Sequence, residues 1–282
     1  MKKTIVLFLK GLWIGATMTV PGVSGGTMAI ALNLYDRLLL SVGSIWKKPK
    51  ENLSFLLKFS LGAGIGVFLF SKLIGILFTT PAQLPLRFFF FGAVAGGIPI
   101  LFRKAGVRKI SYAVFLYPLT GVLILLFFLY IIRLGGIETV NAGFFTQLLI
   151  GIFIAAAIIL PGISASQILY ITGMYETTLE HIRELRIVPI LPAVFGVLVG
   201  ILLLSSLLNR CLIRYAERSY LIIFGFMLGS LPELLPLSEI SALPADPALF
   251  FCSIASAVIG FRILFQWTNE EKSTGLHEMI HT

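Results

Sequence analysis

The chain has 282 residues, of which 57% are hydrophobic and only 12% are charged. Average soluble domains carry about 25% charged residues, so this composition excludes an ordinary soluble enzyme and predicts an integral membrane protein. The net charge is +9, but in membrane proteins the distribution of Lys and Arg between the two sides matters more than their sum. We therefore expect membrane lipid, and no nucleic acid, as a partner.

The first apolar stretch covers residues 5–46 and is interrupted at residues 21–27 by the sequence Pro-Gly-Val-Ser-Gly-Gly-Thr. Proline removes a backbone donor and clashes with the preceding turn, while glycine tolerates left-handed dihedral angles, so the pair predicts a break in the helix. The two legs, at about 5–20 and 26–45, are near or below the ~20 residues that span a bilayer. We expect a broken hairpin that either crosses or re-enters, with both ends on one side.

The rest of the chain repeats this plan. The first hairpin is followed by three apolar runs, and a second hairpin is followed by three more. We predict repeat one at 5–136 and repeat two at 144–268. The predicted spans are 55–79, 87–102 and 111–132 in the first half, and the second half has a hairpin at 144–174 and spans near 188–208, 219–235 and 248–267.

The second hairpin carries a version of the same motif, Pro-Gly-Ile-Ser-Ala-Ser-Gln at 161–167, placed 140 residues after the first. The same shift aligns Tyr35 with Tyr175 and Asp36 with Glu176. Unsatisfied backbone groups cost several kcal/mol each in hydrocarbon, so broken helices persist only where protein buries them or where they line a wet cavity. Matching breaks in two halves indicate the binding site of a secondary transporter.

An odd number of crossings separates the two halves, so the second half is expected to lie upside down relative to the first. With the N-terminus in the cytoplasm, 17 of the 22 Lys and Arg residues fall on or near the inside, as the positive-inside rule requires. The sequence thus predicts an all-α polytopic membrane protein with both termini cytoplasmic. Its fold is an inverted repeat, in which each half is a broken or re-entrant helical hairpin plus three transmembrane helices.

These motifs resemble those of the PopT family of polyprenyl-phosphate transporters over nearly the whole chain. The resemblance rests on residues 21–27 with Tyr-Asp-Arg at 35–37, and on residues 161–164 with Gly-Met-Tyr-Glu at 173–176. It implies a translocase that returns undecaprenyl phosphate, the lipid carrier of cell-wall precursors, from the outer to the cytoplasmic leaflet of the bacterial cell membrane. Ala165, Gln167 and Asn33 depart from the family pattern, so the two half-sites need not be equivalent.

A lipid phosphate needs hydrogen bonds or a counter-charge to pass through a layer of low dielectric constant. Glycines at a helix start let phosphate approach backbone N–H groups, and hydroxyls add donors. An alternative for the small residues is tight helix packing, and one for Arg87 is interfacial anchoring. The expected substrate-binding residues are Ser24, Gly25, Gly26, Thr27, Arg37 and Arg87, together with Ser164, Ser166 and Gln167.

Two carboxylates, Asp36 and Glu176, lie at matching places in the two hairpins. A carboxylate held in the membrane could carry a coupling proton. The other interpretation is an interfacial charge that marks the end of an apolar segment. The residues alone leave both open.

Parts of the sequence are compatible with two further functions. Gly22, Ser24 and Gly26 have the spacing of a hydrolase nucleophile elbow, but the histidines fall in a loop and in the C-terminal tail, so no imidazole base is expected near Ser24. We expect no enzyme activity, no metal site and no cofactor. A secondary transporter of a small anion or other solute, built on the same helix starts, remains an alternative cargo.

Overall fold

The fold is described from a computed structural model, which covers residues 2–20, 23–77, 79–107, 111–134, 143–184, 186, 188–235 and 247–273. Within these ranges the chain is helical and contains no β-strand. The helices of the first half are α1 Lys2–Met18, α2 Gly25–Ala31, α3 Tyr35–Gly43, α4 Pro49–Leu77, α5 Gln83–Ala105 and α6 Ala113–Leu134. The helices of the second half are α7 Phe144–Ile159, α8 Ala165–Ile171, α9 Tyr175–Arg183, α10 Leu191–Arg214, α11 Ala216–Leu234 and α12 Pro247–Ser273.

Five of the described helices are long and apolar enough to cross a membrane, namely α4, α5, α6, α10 and α12. Helices α1 and α7 are apolar but shorter, as expected for the first legs of hairpins. Helix α11, predicted as a span at 219–235, forms over 216–234 but carries Glu217, Arg218 and Glu233 within its 19 residues. The prediction of an all-α polytopic membrane protein is confirmed.

The second leg of the first hairpin is not the single helix that we expected over 26–45. It consists of α2 and α3, which are separated by a turn at Asn33 with a backbone φ of 54°. The turn is closed by two hydrogen bonds, from Leu34 N to Ala29 O (2.8 Å) and from Asn33 N to Ile30 O (2.9 Å). This is a Schellman motif, in which a left-handed residue ends a helix and satisfies its last carbonyls.

The second hairpin contains the same turn 140 residues later. Gly173 has a φ of 66°, and Met174 N and Gly173 N donate to Leu169 O and Tyr170 O at 2.9 and 3.1 Å. The chain then continues through α9 to Arg183, so this hairpin is longer than the predicted 144–174. Helices α2 and α8 each have 7 residues, and α3 and α9 each have 9.

Close glycine contacts repeat between the halves as well. In the first half α1 packs on α4, and a Cβ added at Gly11 would lie 2.4 Å from the carbonyl oxygen of Phe59. In the second half α7 packs on α10, and a Cβ added at Gly151 would lie 2.1 Å from the carbonyl oxygen of Ala193. The last helix of each half crosses over, so that α12 packs on α5 and α6 packs on α11. The two halves are therefore interlocked, and their opposite orientation in the membrane stays a prediction.

Candidate functional site

The two broken hairpins meet inside the protein. The backbone N–H of Gly162, in the second break, donates to the hydroxyl oxygen of Thr27, just after the first break, at 3.0 Å. An added Cβ at Gly26 would lie 3.2 Å from Ile159 O and 3.3 Å from Pro161 N. Tyr35 donates its own hydroxyl to Ile159 O at 3.0 Å. The structure thus brings two motifs that are 140 residues apart into direct contact.

Ser24 occupies the N-cap position of α2 but does not cap the helix with its side chain. Only 4% of the residue is exposed, and its hydroxyl has no hydrogen-bond partner among the described residues. The side chain of Ser24 therefore does not satisfy the free N–H groups at the start of α2. Because a buried hydroxyl without a partner costs free energy, Ser24 is available to bind a polar ligand group.

A cavity of about 270 Å³ lies beside the first motif, between the first hairpin, α4 and the second half. Its volume is near the lower end of the ~300–1,000 Å³ typical of ligand pockets, so it fits a segment of a long chain. Its lining is almost wholly apolar and consists of Ile14, Met18, Gly25, Gly26, Ala29, Tyr35, Leu38, Leu39, Val42, Leu56, Phe59, Ser60, Ile158, Ile159, Ile201 and Ser205.

Asp36 belongs to a charged cluster that joins three helices. Its carboxylate forms an ion pair with the ammonium group of Lys104 on α5 and interacts with the hydroxyl of Tyr220 on α11. The Lys104 and Asp36 side chains are 17% and 30% exposed. Asp36 is therefore a paired charge at a junction between the two halves.

The two arginines predicted to bind substrate lie in different places. Arg37 places its guanidinium 5.2 Å from the centre of the Phe55 ring on α4. Arg87 is half-buried near the start of α5. Lys104 lies near the end of the same helix, about 25 Å from Arg87 at 1.5 Å per residue. Lys104 pairs with Asp36, which is adjacent to Arg37 in the sequence. The structure therefore does not bring Arg37 and Arg87 together at one phosphate.

The second motif is less like the first than its sequence position suggests. Ser164 is the N-cap residue of α8 and is half-buried, and Gln167 takes the place of Thr27. The side chains of Ser166 and Glu176 lie outside the described part of the structure, so their predicted roles stay predictions.

Sequence reasoning missed Lys10 as a buried residue and counted it with the cytoplasmic charges. Lys10 is 0% exposed, and its ammonium group donates to Leu32 O, at the end of α2, at 2.9 Å. The sequence does contain one sign that Lys10 is buried. Lys10 lies between apolar residues, and the matching residue in the second half is an isoleucine, Ile150.

A family profile described as VCA0040-like, undecaprenyl phosphate translocase-like, matches residues 14–248. A polyprenyl-phosphate transporter of Vibrio cholerae is 32% identical over 82% of this chain and 78% of its own length. A polyprenyl-phosphate transporter of Staphylococcus aureus is 31% identical over 90% of this chain and 92% of its own. No solved structure matches the chain.

Proposed function

The chain belongs to the undecaprenyl phosphate translocase-like family, and from this premise we propose that it carries undecaprenyl phosphate across the bacterial cytoplasmic membrane. The direction is from the outer to the cytoplasmic leaflet, with both termini in the cytoplasm. Both similar proteins are named polyprenyl-phosphate transporters. The proposal contains no catalytic step.

The observation that carries the proposal is the meeting of the two breaks beside an apolar cavity. A polyprenyl phosphate has a charged head and a long hydrocarbon tail. The buried hydroxyl of Ser24 and the glycines at 25 and 26 provide polar contacts and close approach for the head, and the apolar lining accepts part of the tail. A small hydrophilic anion has no use for such a lining, which favours the lipid as cargo.

Unequal packing of the two halves supports alternating access. Helix α3 packs on α10 of the other half, where an added Cβ at Gly43 would lie 3.0 Å from the Cα of Ser206, and Ser206 donates its hydroxyl to Gly43 O at 3.1 Å. Among the described residues, α9 and α4 show no packing of similar extent. In an inverted repeat, exchange of these two contacts would open the site first to one leaflet and then to the other.

In this mechanism the Asp36–Lys104 ion pair is part of the moving junction. It joins the first hairpin to α5 and lies beside α11 of the second half. Protonation of Asp36 would weaken the ion pair, so we propose Asp36 and its counterpart Glu176 as the residues that couple transport to an ion gradient.

The test of the cargo uses proteoliposomes that contain the purified protein. We expect transfer of undecaprenyl phosphate between leaflets to be at least about tenfold faster than in protein-free liposomes, and uptake of inorganic phosphate to equal the protein-free rate. Uptake of inorganic phosphate without lipid transfer would reject the lipid cargo and favour the small-anion carrier.

A further inference from the structure

Among the described residues of the first hairpin, Lys10 is a buried charge that lies outside the transport site proposed above. It is 0% exposed within α1, and its ammonium group bonds to Leu32 O at 2.9 Å. Removing an ammonium ion from water costs several kcal/mol even after the protein relaxes. An ionisable residue in a membrane segment is therefore expected to have a function that repays this cost.

The helix break does not itself require this charge. The residue that corresponds to Lys10 in the second half is Ile150, which is also 0% exposed. The second hairpin forms the same Schellman turn, with the same two hydrogen bonds, at Gly173 and Met174. At the end of α8, Thr172 instead donates its hydroxyl to Ile168 O at 2.8 Å. The same backbone geometry thus forms without an ammonium group at the matching position.

Lys10 also lies next to the cavity. Ile14 lines the cavity and follows Lys10 by four residues on α1, so the two share one helix face about 6 Å apart along the axis. Leu32, which accepts the Lys10 hydrogen bond, ends the α2 segment whose Gly25, Gly26 and Ala29 line the same cavity. The Lys10 backbone and the carbonyl that accepts its hydrogen bond therefore each lie about one helical turn from residues that line the cavity.

We propose that Lys10 is the cation that binds the phosphate monoester of the transported lipid. The inference rests on the proposed function and adds a second contact for the headgroup. Leu32 lies eight residues after Ser24, about 12 Å along α2, so Lys10 binds the phosphate at a different stage of transit from Ser24. The long side chain exchanges its bond to Leu32 O for a charge-assisted bond to a phosphate oxygen, while the hydrocarbon tail occupies the cavity. Because the second half has Ile150 at this position, only the first hairpin supplies this cation.

The experiment measures binding of three probes, farnesyl phosphate, farnesol and inorganic phosphate, to the full-length purified protein. The main variant is Lys10→Gln, whose amide keeps a hydrogen-bond donor on a slightly shorter side chain but carries no charge. We expect the wild-type protein to bind farnesyl phosphate at least about tenfold more tightly than farnesol, since hydrogen bonds to charged groups are about twice as strong as neutral ones. Lys10→Gln should lose this preference and keep its affinity for farnesol.

Two further variants separate charge from structure. Lys58→Gln makes the same chemical change at an exposed lysine on α4 and should bind all probes as the wild-type protein does. Lys10→Arg keeps the charge but presents a forked donor, so it should retain the phosphate preference with an affinity for farnesyl phosphate changed severalfold. If Lys10→Gln cannot be isolated folded, an unchanged affinity of Lys10→Arg for both lipids overturns the proposal.

The outcomes distinguish this inference from the function on which it rests. A folded Lys10→Gln protein that still prefers farnesyl phosphate overturns the role of Lys10 but leaves the transporter proposal standing. A wild-type protein without any preference for farnesyl phosphate contradicts both. Inorganic phosphate that binds as tightly as farnesyl phosphate overturns the assignment of Lys10 to a lipid headgroup.

Discussion

At the scale of single residues, the hydrogen bond from Gly162 to Thr27 ties the two halves together at their breaks. The sequence identifies both motifs, because Pro-Gly pairs interrupt helices wherever they occur. It does not predict which hydroxyl meets which backbone group, since that depends on how two distant hairpins pack. For the same reason it does not predict that the Ser24 hydroxyl, at the N-cap position of α2, is buried without a hydrogen bond among the described residues.

Thr27 offers a direct test of this contact. Thr27→Val keeps the shape of the side chain but leaves the buried N–H of Gly162 without its acceptor, which should lower the free energy of unfolding by about 1–3 kcal/mol. Thr27→Ser keeps the hydroxyl and serves as the matched control, with a smaller loss from the missing methyl group. Unfolding of the purified variants in mixed micelles measures both, and equal stability of the Val and Ser variants would refute the role of the bond.

At the scale of helices, each hairpin's second leg is divided by a left-handed residue. The sequence favours a continuous leg over 26–45 because that segment contains no proline, and Asn33 is a weaker stop signal than glycine. The matching residue in the second half is Gly173, and glycine is a stronger stop signal. Because the two positions are 140 residues apart, as the two motifs are, Gly173 indicates that the helix also ends at Asn33. Sequence patterns do not predict the direction of α3 after the turn, because that direction depends on the packing of α3 against α10.

The left-handed turn leads to a prediction at position 33. Glycine adopts this conformation without strain and asparagine does so readily, whereas other residues pay roughly 1–2 kcal/mol. Asn33→Gly should therefore unfold like the wild-type protein, and Asn33→Val should be less stable by at least that amount. The control is Gly64→Val on α4, where an added Cβ meets nothing within 4 Å. Equal thermal stability of the two position-33 variants would contradict the turn.

At the scale of the whole molecule, two similar halves interlock around one interior site. Hydropathy and motif spacing predict the order of the hairpins and of the long helices, because apolar length and proline breaks are local signals. The exchange of α6 and α12 between the halves, the cavity beside the first motif and the burial of Lys10 are not local. They arise from tertiary packing, and they make the halves unequal even though their helices correspond.

The most direct measurement is leaflet-resolved transfer of undecaprenyl phosphate by purified Gly26→Leu in proteoliposomes, beside the wild-type protein. A leucine at Gly26 would push against the backbone of Ile159 and Pro161 and separate the two breaks. Gly64→Leu, which meets open space, is the control. We predict rapid transfer by the wild-type and Gly64→Leu proteins, and transfer by folded Gly26→Leu reduced at least about tenfold, a barrier increase of about 1.4 kcal/mol. Transfer by Gly26→Leu at the wild-type rate would contradict a carrier site at the meeting of the two breaks.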